Sequence, residues 1–127
     1  MQFITDIKDD VKLLQALYKA TEPVKEYMEK TGYAERLSKK AKLTGKETDE
    51  EKKAIVLAQS KENIADAVLS AFGEYPEETL KLAHSLMVLE ENEKPPHGMP
   101  LVSCVMDMLT NDTLLTFFMR SGALVLK

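Results

Sequence analysis

Apolar side chains recur along this chain at three- and four-residue spacing almost from end to end, and they are densest between Glu74 and Arg120. Pro76 opens one helical pattern through Leu80, Leu82, Ala83, Leu86, Met87 and Leu89. Projected at about 100° per residue, these positions cover about half of the helix circumference, so this helix is expected to have neighbours on two sides. The stretch Pro95-Pro96-His97-Gly98-Met99-Pro100 is too rich in proline to continue a helix and predicts a loop. From Leu101 to Leu109 only Ser103 and Asp107 are polar, and Leu114, Leu115, Phe117, Phe118 and Met119 again cover more than half of a helix. Two short helices are expected here, the second capped by Thr110 or Asn111 and ended at Gly122.

The first half of the chain is patterned more like a set of surface helices. From about Asp6 to Ala20 the residues Ile7, Val11, Leu14, Leu17 and Tyr18 share one face, and Lys8, Lys12, Gln15 and Lys19 share the other. Thr21 or Glu22 can cap a second helix, because Pro23 is tolerated in a first turn but not in a helix interior. Val24, Tyr27 and Met28 mark its inner edge, and Gly32 stops it. A weaker helix is expected from Tyr33 to about Leu43, offering Ala34, Leu37 and Ala41 to a core. Thr48 and Glu51 have the spacing of a capping box and start a helix whose stripe is Ala54, Leu57, Ala58, Ile64, Ala65, Val68, Leu69 and Phe72. One long helix to Gly73 is the simpler reading, with a break near Ser60 as the alternative.

No run alternates between apolar and polar with β-branched residues, so the expected fold is all-α: a compact bundle of five to seven helices, no sheet, in one domain over residues 1–127. With 127 residues, 44% of them apolar, the chain can form one core. Its formal charge of −4 disfavours non-specific attachment to nucleic acid or an anionic membrane. That charge belongs wholly to residues 74–127, because residues 1–73 carry 13 basic and 13 acidic side chains. No apolar run reaches the roughly 20 residues of a membrane span, and MQFITDIKDD lacks the regions of a signal peptide. Cytosolic residence without a membrane partner is expected, and the single cysteine suits a reducing compartment.

Candidate chemistry is sparse. His84 and His97 lack metal-ligand spacing, so neither a metal nor another cofactor is expected. Cys104 lies among Val102, Val105 and Met108, where a thiol behaves as a small apolar group. With no phosphate-binding glycine loop and no carboxylate pair in an apolar setting, an enzyme is not expected. The basic group Arg36, Lys39, Lys40, Lys42 and Lys46 precedes Glu47, Asp49, Glu50 and Glu51. Cations at one helix end and anions at the next helix start explain this through the backbone dipole. The other reading makes residues 36–46 the contact of a small helical regulator or nucleic-acid-binding protein, although no aromatic residues interleave the cations.

The run from Tyr75 to His84 (YPEETLKLAH), followed by Glu90-Glu91, the proline loop and the run from Asn111 to Phe118 (NDTLLTFF), resembles small proteins from the tail-gene region of long-tailed phages and prophages of Gram-positive bacteria. These are similar to tail assembly chaperones, and the likeness covers about residues 70 to 120. It implies a small acidic helical protein that coats the helical tape measure protein until tail-tube subunits replace it, and it implies no catalytic residues. Independently, the apolar excess of the last helices predicts a partner surface at Val102, Met106, Leu115, Phe118 and Met119, with 124–126 as an extension. The expected partner is a helical client or a second copy of the chain. Five of the seven methionines, Met87, Met99, Met106, Met108 and Met119, lie in this region, where flexible thioethers suit varied apolar partners or serve as core filler.

Overall fold

A computed structural model describes residues 2–126. Among them six helices form the body: α1 Asp10–Thr31, α2 Tyr33–Leu37, α3 Asp49–Gly73, α4 Pro76–Ser85, α5 Met99–Leu109 and α6 Asp112–Arg120. The expected helical bundle is observed. To it the structure adds one small antiparallel ladder, in which β1 (Gln2–Phe3) pairs with β2 (Met87–Val88), Gln2 opposite Val88 and Phe3 opposite Met87.

The ladder explains two boundaries that periodicity placed wrongly. Helix α4 stops at Ser85, short of Leu89, because Met87 and Val88 go into the ladder and the Leu86 carbonyl accepts the Ile4 amide at 2.9 Å. At the other end, Phe3, Ile4 and Ile7 enter the core from an extended strand and a short 3₁₀ turn (Ile4–Asp6). The first helix therefore starts at Asp10 and not at Asp6, with the Asp9 side chain accepting the Lys12 amide at 3.0 Å.

Helix α1 runs through Pro23 as one element, although a boundary is expected there. A proline in a helix interior removes one backbone bond and costs about 3 kcal/mol. The compensation is a continuous buried ridge on both sides of it, formed by Ala20, Val24, Tyr27 and Thr31 at spacings of four, three and four. Gly32, at φ +65°, ends the helix in the left-handed conformation that only glycine adopts without strain, and its amide bonds to the Met28 carbonyl.

The helix expected to reach Leu43 ends at Leu37. Ser38 Oγ turns back to the Ala34 carbonyl, and the Asn63 amide of α3 donates to the Leu37 and Lys39 carbonyls, at 3.4 and 2.6 Å. Asn63 thereby holds the departing chain against α3 and is itself fixed by Gln59. Helix α3 is the expected single long helix, with Thr48 Oγ1 accepting the Glu51 amide at 3.1 Å.

The core brings the C-terminal parts of α1 and α3 against α4 through small residues. Ala20, Ala67, Ala71 and Ala83 are all buried, which lets the helix backbones approach closely. A buried hydroxyl chain crosses the three helices. Thr79 donates its one proton to the Ala71 carbonyl at 2.9 Å, so Tyr27, 2.9 Å from Thr79 Oγ1, is the donor in the other bond. Tyr33 reaches across to α5 and donates to the Leu109 carbonyl at 3.0 Å. At the C-terminus Asn111, rather than Thr110, caps α6, and Ala123 and Leu124 turn back into the core after Gly122.

Candidate interaction surface

The five residues expected to meet a partner do not share one environment. Met106 and Met119 are exposed, at 46% and 38%, and Val102 and Leu115 are half-buried. Phe118 is a correction: at 3% exposure it belongs to the core, with its ring 5.2 Å from that of Phe117 in an edge-to-face contact. Helix α6 is short, and its buried edge is the pair Leu114 and Phe118, one turn apart. Leu115 and Met119 form a second row, one position further round the helix. The apolar tail divides in the same way, Leu124 buried and Val125 and Leu126 exposed.

A surface that periodicity assigned to the core lies instead in solvent. On the first half of α1, Val11, Leu14 and Tyr18 are 64%, 68% and 84% exposed. Single exposed apolar residues are ordinary, but these three recur at three- and four-residue spacing and make a continuous stripe. Beside it Leu13 and Leu17, half-buried, line a cleft of about 380 Å³ whose other walls include Ile4, Ile7, Leu114 and Phe117. Gln15 and Glu22 border the stripe on its far side, and Lys12 and Lys19 lie further round the helix, all exposed. Helix α3 shows a partial reversal: Ala54, Leu57, Ala58, Ala65 and Leu69 of its expected core stripe are exposed, Ile64, Val68 and Phe72 of it do face the core, and Asn63, Ala67 and Ala71 complete the buried face.

The basic segment is mostly irregular chain with Lys39, Lys40, Lys42 and Lys46 in solvent. Arg36 is engaged with Glu74 at 2.8 Å, tying α2 to the end of α3. Glu47 folds back on the turn before it, its carboxylate accepting the Thr44 amide and hydroxyl and the Gly45 amide at 2.7 to 2.9 Å. Those bonds, led by the Thr44 amide, bring its carboxyl down from 4.5 to about 2. A depressed carboxyl pKa favours the folded turn above the ordinary value, and the preference is lost as pH falls towards 2. A side-chain NMR titration should therefore find the Glu47 midpoint well below the ordinary glutamate value, and Thr44→Val should move it up by about one unit. An ordinary midpoint in the wild type would mean the turn does not form.

His84 and His97 are exposed, and among the described residues no three metal-ligating side chains come together. Cys104 is half-buried, and desolvation, then the carboxylates of Asp107 and Asp6, push its thiol up from the ordinary value, so it stays protonated at neutral pH. No single helix among the described residues is long and apolar enough to cross a membrane. The chain matches no family model, no curated protein and no solved structure.

Proposed function

We propose that this protein is a holding factor for an elongated helical client, the role that its likeness to tail assembly chaperones implies, with a tape measure protein as the client. The observation that supports this reading is the amount of apolar surface left open at helical spacing: Val11, Leu14 and Tyr18 on α1, Leu57 and Leu69 on α3, Met106 on α5 and Met119 on α6. Each large apolar side chain left in water forgoes about 1.5–3 kcal/mol of burial, and a stripe of them usually marks a partner surface. A long amphipathic helix needs such surface, since its own apolar face otherwise draws copies together. Met106 and Met119 add side chains that can repack against irregular partners.

The test is co-expression of the chain with a tape measure protein that precipitates when made alone. The expected result is a soluble complex of both, and a variant combining Leu14→Glu with Met119→Glu should return most of the client to the pellet. If the client precipitates equally with and without the wild-type chain, the proposal fails.

A further inference from the structure

We infer that the outer face of α1 from Asp10 to Lys25 is a contact between two copies of this chain, with the two helices antiparallel. Val11, Leu14, Tyr18, Thr21 and Lys25 follow one another at alternating steps of three and four, so they form one seam about 22 Å long with Asp10 at its edge. Such spacing is the pattern by which paired helices interlock. Val11, Leu14 and Tyr18 are exposed, and Thr21, half-buried, has its hydroxyl bonded to the Leu17 carbonyl at 3.0 Å, so it brings no unmet polar group to a contact. The core-facing ridge of Ala20, Val24, Tyr27 and Thr31 is more than a third of the circumference away, so two copies joined along the seam point their bodies apart.

The charged ends of the seam select the occupant. Asp10 stands at one end and Lys25 at the other, both exposed and, among the described residues, neither in an ion pair. Two copies related by a two-fold axis passing between Leu17 and Tyr18 set Asp10 of each opposite Lys25 of the other. The same register puts Leu14 over Thr21, brings the two Tyr18 rings together at the centre and lays the Lys25 stem on Val11. On the far border Glu22 of one copy meets Gln15 of the other, and Glu29 reaches past the start of the opposing helix, so no like charges meet there. A parallel pairing instead places Asp10 beside Asp10 and Lys25 beside Lys25. A foreign helix would need an acid and a base at this same separation, whereas a second copy has them by construction. The inference does not rest on the holding-factor reading, whose surface extends over α3, α5 and α6; a client that also uses α1 displaces the second copy.

Contact over about four helical turns is smaller than a standard interface of about 800 Å² per partner, so the dimer should be reversible. Sedimentation equilibrium of the full chain at low salt, from micromolar to millimolar concentration, tests it. The wild type should pass from monomer to dimer across that range, and Leu14→Glu or Tyr18→Glu should stay monomeric with unchanged circular dichroism, since neither side chain is in the core. Lys25→Glu should weaken the dimer about tenfold by turning two attractive contacts into repulsive ones, and high salt should remove that loss. Asp10→Lys should do the same. An equimolar mixture of the Lys25→Glu and Asp10→Lys proteins should recover the wild-type affinity as a heterodimer, because each end then holds one cation and one anion.

A wild type that stays monomeric throughout would overturn the inference. So would a dimer that Leu14→Glu and Tyr18→Glu both leave intact, since another face then holds it. A dimer indifferent to Lys25→Glu at low salt would overturn it as well, because in a parallel pair that change only replaces one like pair by another. The same follows if a mixture of the two folded charge variants does not recover. Should Asp10→Lys disturb the helix start, Lys25→Glu alone reads the same contact. A monomeric wild type that still keeps a tape measure protein soluble would sink the dimer and leave the holding-factor reading standing. Conversely, a charge-dependent dimer that fails to keep it soluble would support this contact while the client reading falls.

Discussion

Phe118→Glu should abolish cooperative unfolding, while Met119→Glu, the next residue, should leave a folded protein. Phe118 is a core residue between α6 and its neighbours, and removing a buried aromatic side chain alone costs about 3–5 kcal/mol. A carboxylate in its place adds the burial of an unpaired charge, which brings the loss to the size of the whole stability of a small domain, about 5–15 kcal/mol. Met119 keeps over a third of its surface in water, so its replacement should change stability by about 1 kcal/mol or less. Thermal unfolding followed by circular dichroism separates the two. A Phe118→Glu protein with a wild-type transition would show that α6 is turned the other way, with Leu115 and Met119 inward. The same pair refines the client experiment, because only a folded variant can report on the surface.

Tyr33→Ala should lower stability by about 3–5 kcal/mol, and Tyr33→Phe by about 1–2 kcal/mol. Tyr33 is almost wholly buried, and its ring lies 6.1 Å from that of Tyr27. Its hydroxyl serves the carbonyl of Leu109, the last residue of α5, which has no partner within its own helix. Phenylalanine keeps the packing and leaves that carbonyl unserved; alanine also opens a cavity where α2 meets the bundle. Burial, and then the neighbouring Tyr27, raise the Tyr33 phenol above the ordinary value of 10, so the folded state holds the proton more tightly than the unfolded chain does. The stability this adds is complete below pH 10 and is lost as pH rises beyond it. Urea titrations at neutral pH should show shifted midpoints with unchanged slopes for both variants. Between pH 10 and 11 the wild type should lose stability faster than Tyr33→Phe. Equal alkaline loss in the two proteins would mean that the phenol is not buried.

The helical class, the long α3 with its Thr48 cap, the stop at Gly32, the proline loop as far as Gly98, after which Met99 and Pro100 already open α5, and the cap at Asn111 or its neighbour were legible in the letters alone. These are local matters. A side-chain oxygen reaching an amide three residues on, a proline without an N–H and a glycine at positive φ act within a turn of chain, so they can be read from neighbouring letters. Tertiary structure decided which face of each helix is inside. In the first half of α1 the letters offer Val11, Leu14 and Tyr18 as the stripe, yet the buried ridge is Ala20 and Thr31 together with the expected Val24 and Tyr27. In α3 the outcome is the same, with Ala67 and Ala71 inside and Leu57 and Leu69 outside. Close approach of helix backbones selects small residues, which carry little weight in an apolar pattern, and hydroxyls such as Thr31 and Thr79 can be buried only where a distant carbonyl or phenol meets them. The short ladder of Phe3 with Met87 and the burial of Phe118 beside an exposed Met119 have the same origin: each depends on residues far away in the chain, which no local period contains. The exposed stripe on α1 was hidden for that reason, since a stripe left in solvent and a stripe that the core covers have the same spelling.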